Sequence, residues 1–177
     1  MPTNILPPSE VPTIPVRIAT SRVKDCFRIA EKKTKIKFRF DGVQFFSQST
    51  DAGYVIATEN NVVYLNLELF QRNTKTFLDT IIPHEVAHIV ARAINPKEIY
   101  HGKTWKSVMQ DVFSLPPERC HTMNTKGLGR NVKNFVYICA CTKHTIGSIR
   151  HKKIIKGKKY VCKSCKKQLV FLKEIKQ

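Results

Sequence analysis

The last 52 residues of the sequence contain almost no negative charge. Residues 126–177 hold 15 lysines and arginines but one acidic residue, Glu174, which gives a net charge of +14. Residues 1–125 carry a net charge of only +4. So much like charge repels itself, and a polyanionic partner would compensate it. The imbalance therefore predicts a polyanion-binding segment at the C-terminal side.

Long apolar segments are missing as well. No apolar run reaches the roughly 20 residues that a membrane-spanning helix needs. The first eight residues also lack the basic region and apolar core of a secretory signal. We therefore expect a cytoplasmic, nucleoid-associated protein that is monomeric and contacts no membrane.

Disulfide bonds are not expected, although the chain has six cysteines. Four of them lie in two close pairs in the last quarter of the chain, which is typical of a metal site in a reducing compartment. Cys162 and Cys165 have the standard ligand spacing, with two residues between them. Cys139 and Cys141 have only one residue between them, so His144 remains an alternative to Cys141 as the fourth ligand.

Short strand patterns surround both cysteine pairs. They fall at Phe135–Cys139, Thr145–Arg150, Lys159–Cys162 and Leu169–Leu172. Four thiolates from two β-turns around one tetrahedral zinc ion make a zinc ribbon. A piece this small has too few core side chains to fold without a metal. We therefore predict that residues 126–177 form a small, basic β zinc-ribbon domain with one structural zinc.

The centre of the chain contains the motif His-Glu-x-x-His at His84, Glu85 and His88. Residues four apart lie on one face of a helix, so the two histidines can present their ring nitrogens to one metal ion. Glu85 lies one position round, at the open side of the metal, and is the candidate general base. A third ligand must come from elsewhere, and His101 is the obvious candidate.

The flanking sequence favours this site over a chance match. The predicted central helix, at about residues 75–94 and capped by Asn73 or Thr74, is apolar almost all round and should be buried. Imidazole and carboxylate side chains on a buried helix need partners. Pro83 lies inside the helix and predicts a local bend before the ligands.

Together with the other patterns of the sequence, these motifs predict an α+β fold class with a small, mostly antiparallel sheet. They predict a helix, a strand-rich stretch and an amphipathic helix at residues 15–33, 36–67 and 103–114. Asp41-Gly42 has the pattern of a hairpin turn. Five prolines in residues 1–15 predict a flexible N-terminal arm. The helices and the sheet make up a domain at residues 16–125.

In order and spacing, several stretches of the chain resemble the SprT family. They are Val63–Leu67, Phe77–His88 and His101–Lys106, followed in the tail by Tyr137–Cys141, Arg150-His151 and Tyr160–Val170. The tail stretches resemble the C-terminal zinc ribbon of that family. The likeness covers about residues 16–172.

The resemblance implies a minimal zincin-like metalloprotease domain. His84, His88 and His101 match the zinc ligands of the family, and Glu85 matches its catalytic glutamate. The eukaryotic relatives, the Spartan proteases, cleave proteins that are crosslinked to DNA. The resemblance does not settle the substrate of this chain.

Three histidine ligands leave one position on zinc for water, which is typical of a catalytic site. We therefore expect a zinc metalloendopeptidase that acts on DNA-associated or DNA-crosslinked proteins. The alternative is a nucleic-acid-binding zinc protein with a regulatory or inactive centre. Glu85 favours the enzyme, because a structural zinc needs no carboxylate beside its first histidine. The reaction also needs a group that stabilises the oxyanion, and the sequence does not identify it.

The basic tail is expected to bind DNA, single-stranded or structured, with little sequence preference. Its expected contacts are Lys143, Arg150, Lys152, Lys153, Lys156, Lys158, Lys159, Lys163, Lys166 and Lys167. Most are lysines, whose point charges suit phosphate attraction better than base reading. Tyr137, Tyr160 and Phe171 either stack on unpaired bases or form the core of the ribbon.

Overall fold

The computed structural model describes residues 4–56, 61–97, 99–128 and 133–175. The chain divides into two compact units, Met1–Leu128 and Gly129–Gln177. The predicted boundary, between residues 125 and 126, lies three residues before this division. Among the described residues, no helix is both long enough and apolar enough to cross a membrane.

The first unit contains a three-stranded sheet of β1 (Phe40–Phe46), β2 (Gly53–Ile56) and β3 (Asn61–Asn66). The strand order is β1-β3-β2; β3 pairs with β1 in parallel and with β2 antiparallel. The predicted hairpin turn at Asp41-Gly42 is wrong, because β1 runs through both residues. Its pairing shifts register between Phe40 and Gly42, and Gly42 has φ 129°. The glycine therefore marks a β-bulge instead of a turn.

One long helix, α1 (Thr13–Thr34), precedes the sheet. Its buried stripe consists of Ala19, Val23, Cys26, Phe27 and Ala30. The described residues before α1 differ from the predicted flexible arm. The Leu6 amide donates to the Phe45 carbonyl at 2.8 Å, and Ile5 bridges Phe46 in antiparallel fashion. This segment therefore covers the outer edge of β1.

The central helix is continuous from Thr74 to Ile94 but is not α-helical throughout. After α2 (Leu67–Arg72), a turn at Thr74–Thr76 (α3) leads into a π-helical stretch at Phe77–Ile81 and then into α4 (Ile82–Ile94). In the wider π turn, the Ile82 amide donates to the Phe77 carbonyl. Pro83, which has no N–H to donate, follows this π turn as the second residue of α4.

A second helix packs against α4 and completes the core of the first unit. It comprises α5 (Lys103–Ser107) and a π-helical stretch at Val108–Val112. Its predicted apolar stripe is buried at Trp105, Val108, Met109 and Val112. These side chains join those of α1, α4 and the sheet in one apolar cluster.

The second unit is built on an antiparallel sheet in the order β5-β4-β6. Its elements are β4 (Asn134–Ile138), β5 (Lys143–Gly147), α6 (Ser148–Ile155) and β6 (Val170–Ile175). The predicted strand Thr145–Arg150 is wrong beyond Gly147, since the chain turns into α6. The predicted strand Lys159–Cys162 is reduced to one bridge between Val161 and Gln168. The α+β class predicted from the sequence is confirmed.

Candidate metal centres

The structure brings His84, His88 and His101 together. The first two lie one turn apart on α4, and the third comes from the loop before α5. One ring nitrogen of each lies within 4.8 Å of the others, and the Nε2 atoms of His84 and His101 are 3.0 Å apart. Two nitrogens on a tetrahedral zinc ion are about 3.3 Å apart, given Zn–N distances near 2.0–2.1 Å. The three side chains therefore fit one zinc ion.

Burial keeps these imidazoles neutral. Burial, followed by the nearby rings of His88 and His101, lowers the pKa of His84 to about 3. Burial and the charge of His101 lower the pKa of His88 to about 4. Burial also lowers the pKa of His101, as does the charge of Arg119. Neutral imidazole is the form that binds metal, so the site is ready for a cation at neutral pH.

Trp105 is a part of this site that the sequence predicted only as a core anchor. Its buried indole packs against the rings of all three histidines, with centroids 4.8, 5.5 and 4.4 Å from those of His84, His88 and His101. Its Nε1 donates to the His84 carbonyl at 3.4 Å. A bulky ring behind the ligands limits their rotation, and such supporting contacts tune metal affinity.

Backbone groups also orient the ligands. The ring of His84 is hydrogen-bonded to the backbone of Glu118, and that of His88 to the backbone of Tyr100. Tyr100 has φ 54°, which is uncommon for a residue with a side chain. Neither partner has a signal in the sequence, because both act through main-chain atoms.

Glu85 is buried beside the histidines, with only 6% of its surface exposed. Strand β2 packs closely on it, since a Cβ added to Gly53 would lie 3.2 Å from Glu85 Oε1 and 3.0 Å from the Tyr64 carbonyl oxygen. Burial, followed by the charge of Asp51, raises the pKa of Glu85 to about 8. A nearby cation favours the ionised carboxylate, and a metal ion on the three histidines would supply one.

Replacing His101 by alanine is expected to remove the zinc of this site. The two helical histidines would remain, but losing a direct ligand should weaken affinity by more than the roughly 10–100-fold typical of indirect contacts. Zinc content of the purified chain should fall by one equivalent, as measured by atomic absorption. Lys97→Ala, at an exposed position of the same loop, is the control. An unchanged zinc content in the His101 variant would remove this residue from the site.

The second unit holds a cluster of four thiols. The Sγ atoms of Cys139, Cys141, Cys162 and Cys165 all lie within 4.8 Å of one another. Cys139 and Cys141 are 3.4 Å apart, and Cys141 and Cys162 are 3.7 Å apart. Two sulfurs on a tetrahedral zinc ion are about 3.8 Å apart, given Zn–S distances near 2.3 Å. The cluster therefore also fits one zinc ion.

Backbone hydrogen bonds and neighbouring sulfurs shift the thiol pKa values of this cluster in opposite directions. Hydrogen bonds from the backbone of Cys165 and Ser164 lower the pKa of Cys162 to about 6. The neighbouring sulfurs, Cys139 above all, raise the pKa of Cys141 to about 12. Four thiolates cannot lie this close without a positive charge between them, and a coordinated metal deprotonates its thiols.

His144 lies beside this cluster, where its Nε2 is 3.2 Å from Cys139 Sγ. His144 therefore forms a hydrogen bond with one sulfur of the cluster, whereas Cys141 is part of the four-sulfur group. We expect Cys141→Ser to lose the zinc of the second unit. His144→Ala should keep that zinc, with affinity lower by about 10–100-fold. Competition with a chelator measures the zinc affinity of both variants. If His144→Ala loses the zinc and Cys141→Ser keeps it, His144 is the ligand.

All ten basic residues predicted to contact nucleic acid are exposed. Arg150 lies on α6 and not on the predicted strand, and Lys152 and Lys153 follow it on the same helix. None of the ten forms an ion pair within the described residues. Their charges are therefore available to an external anion.

The three aromatic candidates of the tail differ in exposure. Tyr137 is fully buried and its hydroxyl lies 2.9 Å from His151 Nδ1, so it belongs to the core. Phe171 is 46% exposed, and Tyr160 is half-buried with Lys158 Nζ 6.0 Å from its ring centre. Only the last two remain candidates for stacking on bases.

The fold and the sites together define an α+β protein with a candidate His-Glu-x-x-His metal centre and a four-cysteine cluster. Residues 23–121 match the model of the SprT-like family, so the chain belongs to this family. It is 35% identical to Protein SprT of Pseudomonas fluorescens over 154 residues, 85% of this chain and 92% of that protein. It is 34% identical to Protein SprT of Pseudomonas aeruginosa over 159 residues, which are 88% of this chain and 94% of that protein. No solved structure matches the chain.

Proposed function

We propose that the chain is a zinc-dependent metalloendopeptidase that acts on DNA-associated or DNA-crosslinked proteins. The observation that carries this proposal is the buried carboxylate of Glu85, next to three neutral imidazoles. Burying an ionisable group costs free energy, and a purely structural metal site does not require a carboxylate beside its ligands. A general base at the metal explains why the carboxylate lies there.

The histidines and the glutamate of the site have different roles in this reaction. His84, His88 and His101 hold the zinc ion. When bound, zinc polarises the scissile carbonyl and lowers the pKa of water to about 7. The Glu85 carboxylate takes the proton of the attacking water and later delivers it to the leaving amine nitrogen. The close approach of β2 at Gly53 fixes the carboxylate for both transfers.

The second unit is proposed to hold the enzyme on DNA. The ten exposed basic residues predicted to contact nucleic acid form no ion pair among the described residues, and lysines attract phosphates without reading bases. A nucleic-acid tether raises the local concentration of DNA-bound substrates, which favours their cleavage over that of free proteins. Association with the nucleoid would follow from the same contacts.

The test uses zinc-loaded full-length chain and one labelled substrate protein, either free or crosslinked to single-stranded DNA. The proposal expects cleavage of both, with faster cleavage of the crosslinked form. High salt should remove the difference by releasing the DNA. Absence of cleavage with either form, together with retained DNA binding, would favour a nucleic-acid-binding protein with an inactive centre.

A further inference from the structure

The central helix contains one carbonyl that its own backbone leaves without a donor. In an α-helix the Leu78 carbonyl would accept from the amide of residue 82, and in a π turn from that of residue 83. The Ile82 amide donates to the Phe77 carbonyl instead, and residue 83 is proline, which has no N–H. Leu78 therefore lacks the amide partner that either type of helix would supply.

Arg22 of α1 supplies the missing donor. Its Nε donates to the Leu78 carbonyl at 2.7 Å and so joins α1 to the π-helical stretch. A hydrogen bond from a charged guanidinium is about twice as strong as one between neutral groups. Within the described residues Arg22 forms no ion pair, so no carboxylate competes with the carbonyl for it.

This hydrogen bond lies within two helical turns of the metal-binding motif. A π turn holds one residue more than an α turn, which rotates all later residues by about 100° around the helix axis. The direction of the ligands therefore depends on where the π turn ends, which is at Pro83. On the other side of this proline, Trp105 Nε1 donates to the His84 carbonyl. Arg22 and Trp105, from two other helices, thus hold the central helix before and after the proline.

We propose that Arg22 is a positioning residue for the three-histidine site. It replaces the amide that Pro83 lacks and thereby fixes the rotation at which α4 presents His84 and His88 to a metal ion. Without this donor, nothing holds the end of the π turn in register, and the three histidines bind a metal ion less tightly. The inference goes beyond the proposed peptidase function and depends only on the metal site.

The test compares Arg22→Gln with Arg22→Met in the full-length chain. Glutamine carries an N–H donor as far along the side chain as the Nε of arginine, whereas methionine reaches equally far without a donor. The control is Arg17→Met, because Arg17 is exposed on the same helix and lines the same cleft of about 480 Å³ as Arg22 and Leu78.

The probe is Co²⁺, whose visible absorption depends on its ligands and their geometry. It is added after one equivalent of zinc has filled the four-cysteine cluster. His101→Ala should remove the cobalt absorption that belongs to the three-histidine site, which identifies that signal. Titration then gives the affinity of each Arg22 variant, and the shape of the spectrum reports the ligand geometry.

Arg22→Met should bind Co²⁺ at this site about 10–100-fold more weakly, the loss typical of removing a partner that orients a metal ligand, and with an altered spectrum. Arg22→Gln should recover most of the affinity, and Arg17→Met should bind like the wild type. Wild-type affinity and spectrum in Arg22→Met would overturn the inference. A glutamine variant as weak as the methionine variant would overturn it too, as would a wild type that binds no Co²⁺ at the histidines.

Pro83→Ala gives an independent test, because it returns the missing amide. With a backbone donor available to Leu78, adding Arg22→Met should cost little affinity in this background. An equal loss in both backgrounds would make Arg22 a general support of α1 and contradict the inference. If Arg22→Met alone does not fold, as judged by circular dichroism, the double variant should still fold and bind Co²⁺ like Pro83→Ala; its failure would count against the inference as well. A wild type that binds Co²⁺ but, loaded with zinc, cleaves nothing would contradict the peptidase proposal alone.

Discussion

Replacing Glu85 by glutamine is expected to lower the rate of proteolysis by about 10²–10⁴-fold, the usual cost of losing a general base. Glutamine has the size of glutamate and fits the space left by Gly53, but its amide cannot accept the proton of water. A Cβ added to Gly53 would lie only 3.1–3.2 Å from the Glu85 side chain, so the site has no room for a group larger than the glutamate. The measurement is the initial rate of cleavage of a DNA-crosslinked protein by the zinc-loaded chain.

The matched control for this substitution is Glu68→Gln. Glu68 is exposed on α2 and, among the residues that the structure describes, pairs only with Arg72 on the same helix; exposed pairs contribute little to stability. Zinc content should be unchanged in both variants, since neither glutamate is a proposed ligand. Full activity of the Glu85 variant would place the chemistry on another group. A loss of zinc in that variant would mean that Glu85 helps to hold the metal.

The centre of the metal site was predictable because its signal is local. Two histidines four residues apart face one direction on any helix, and an apolar sequence around them buries that helix. The cysteine pairs are local in the same sense. In each pattern the residues are only a few positions apart in the sequence. Their relative placement therefore does not depend on how the rest of the protein packs.

The elements that were missed depend on partners distant in sequence. β1 pairs in parallel with β3, and no nearby residue indicates this, so Gly42 was interpreted as a turn. In the tail, the strand pattern predicts a strand that runs on to Arg150. The strand in fact ends at Gly147, and the next residue begins α6. The role of Trp105 follows from packing against His84 across the fold, which spacing along the chain cannot show.

Affinity of the full-length chain for DNA is expected to fall steeply with salt. If the second unit contacts six to ten phosphates, affinity should fall by about 10³–10⁵-fold between 50 and 200 mM salt. The log–log slope should be about −0.7 per contact on single strands and −0.9 on duplex. The physical reason is release of the counterions that each bound phosphate had condensed. Fluorescence anisotropy of labelled single- and double-stranded DNA measures both slopes.

Charges on α6 are expected to account for a defined part of that slope. Changing Arg150, Lys152 and Lys153 to glutamine removes three exposed cations while keeping helix propensity. The slope on single strands should become shallower by about 2, since each lost contact removes about 0.7. The control changes Arg17, Lys24 and Lys32 to glutamine, which removes the same charges from exposed positions of α1. Equal effects of the two triple variants would show that binding follows total charge and not the second unit. If the wild type fails to bind DNA even at low salt, the basic tail serves another acidic partner.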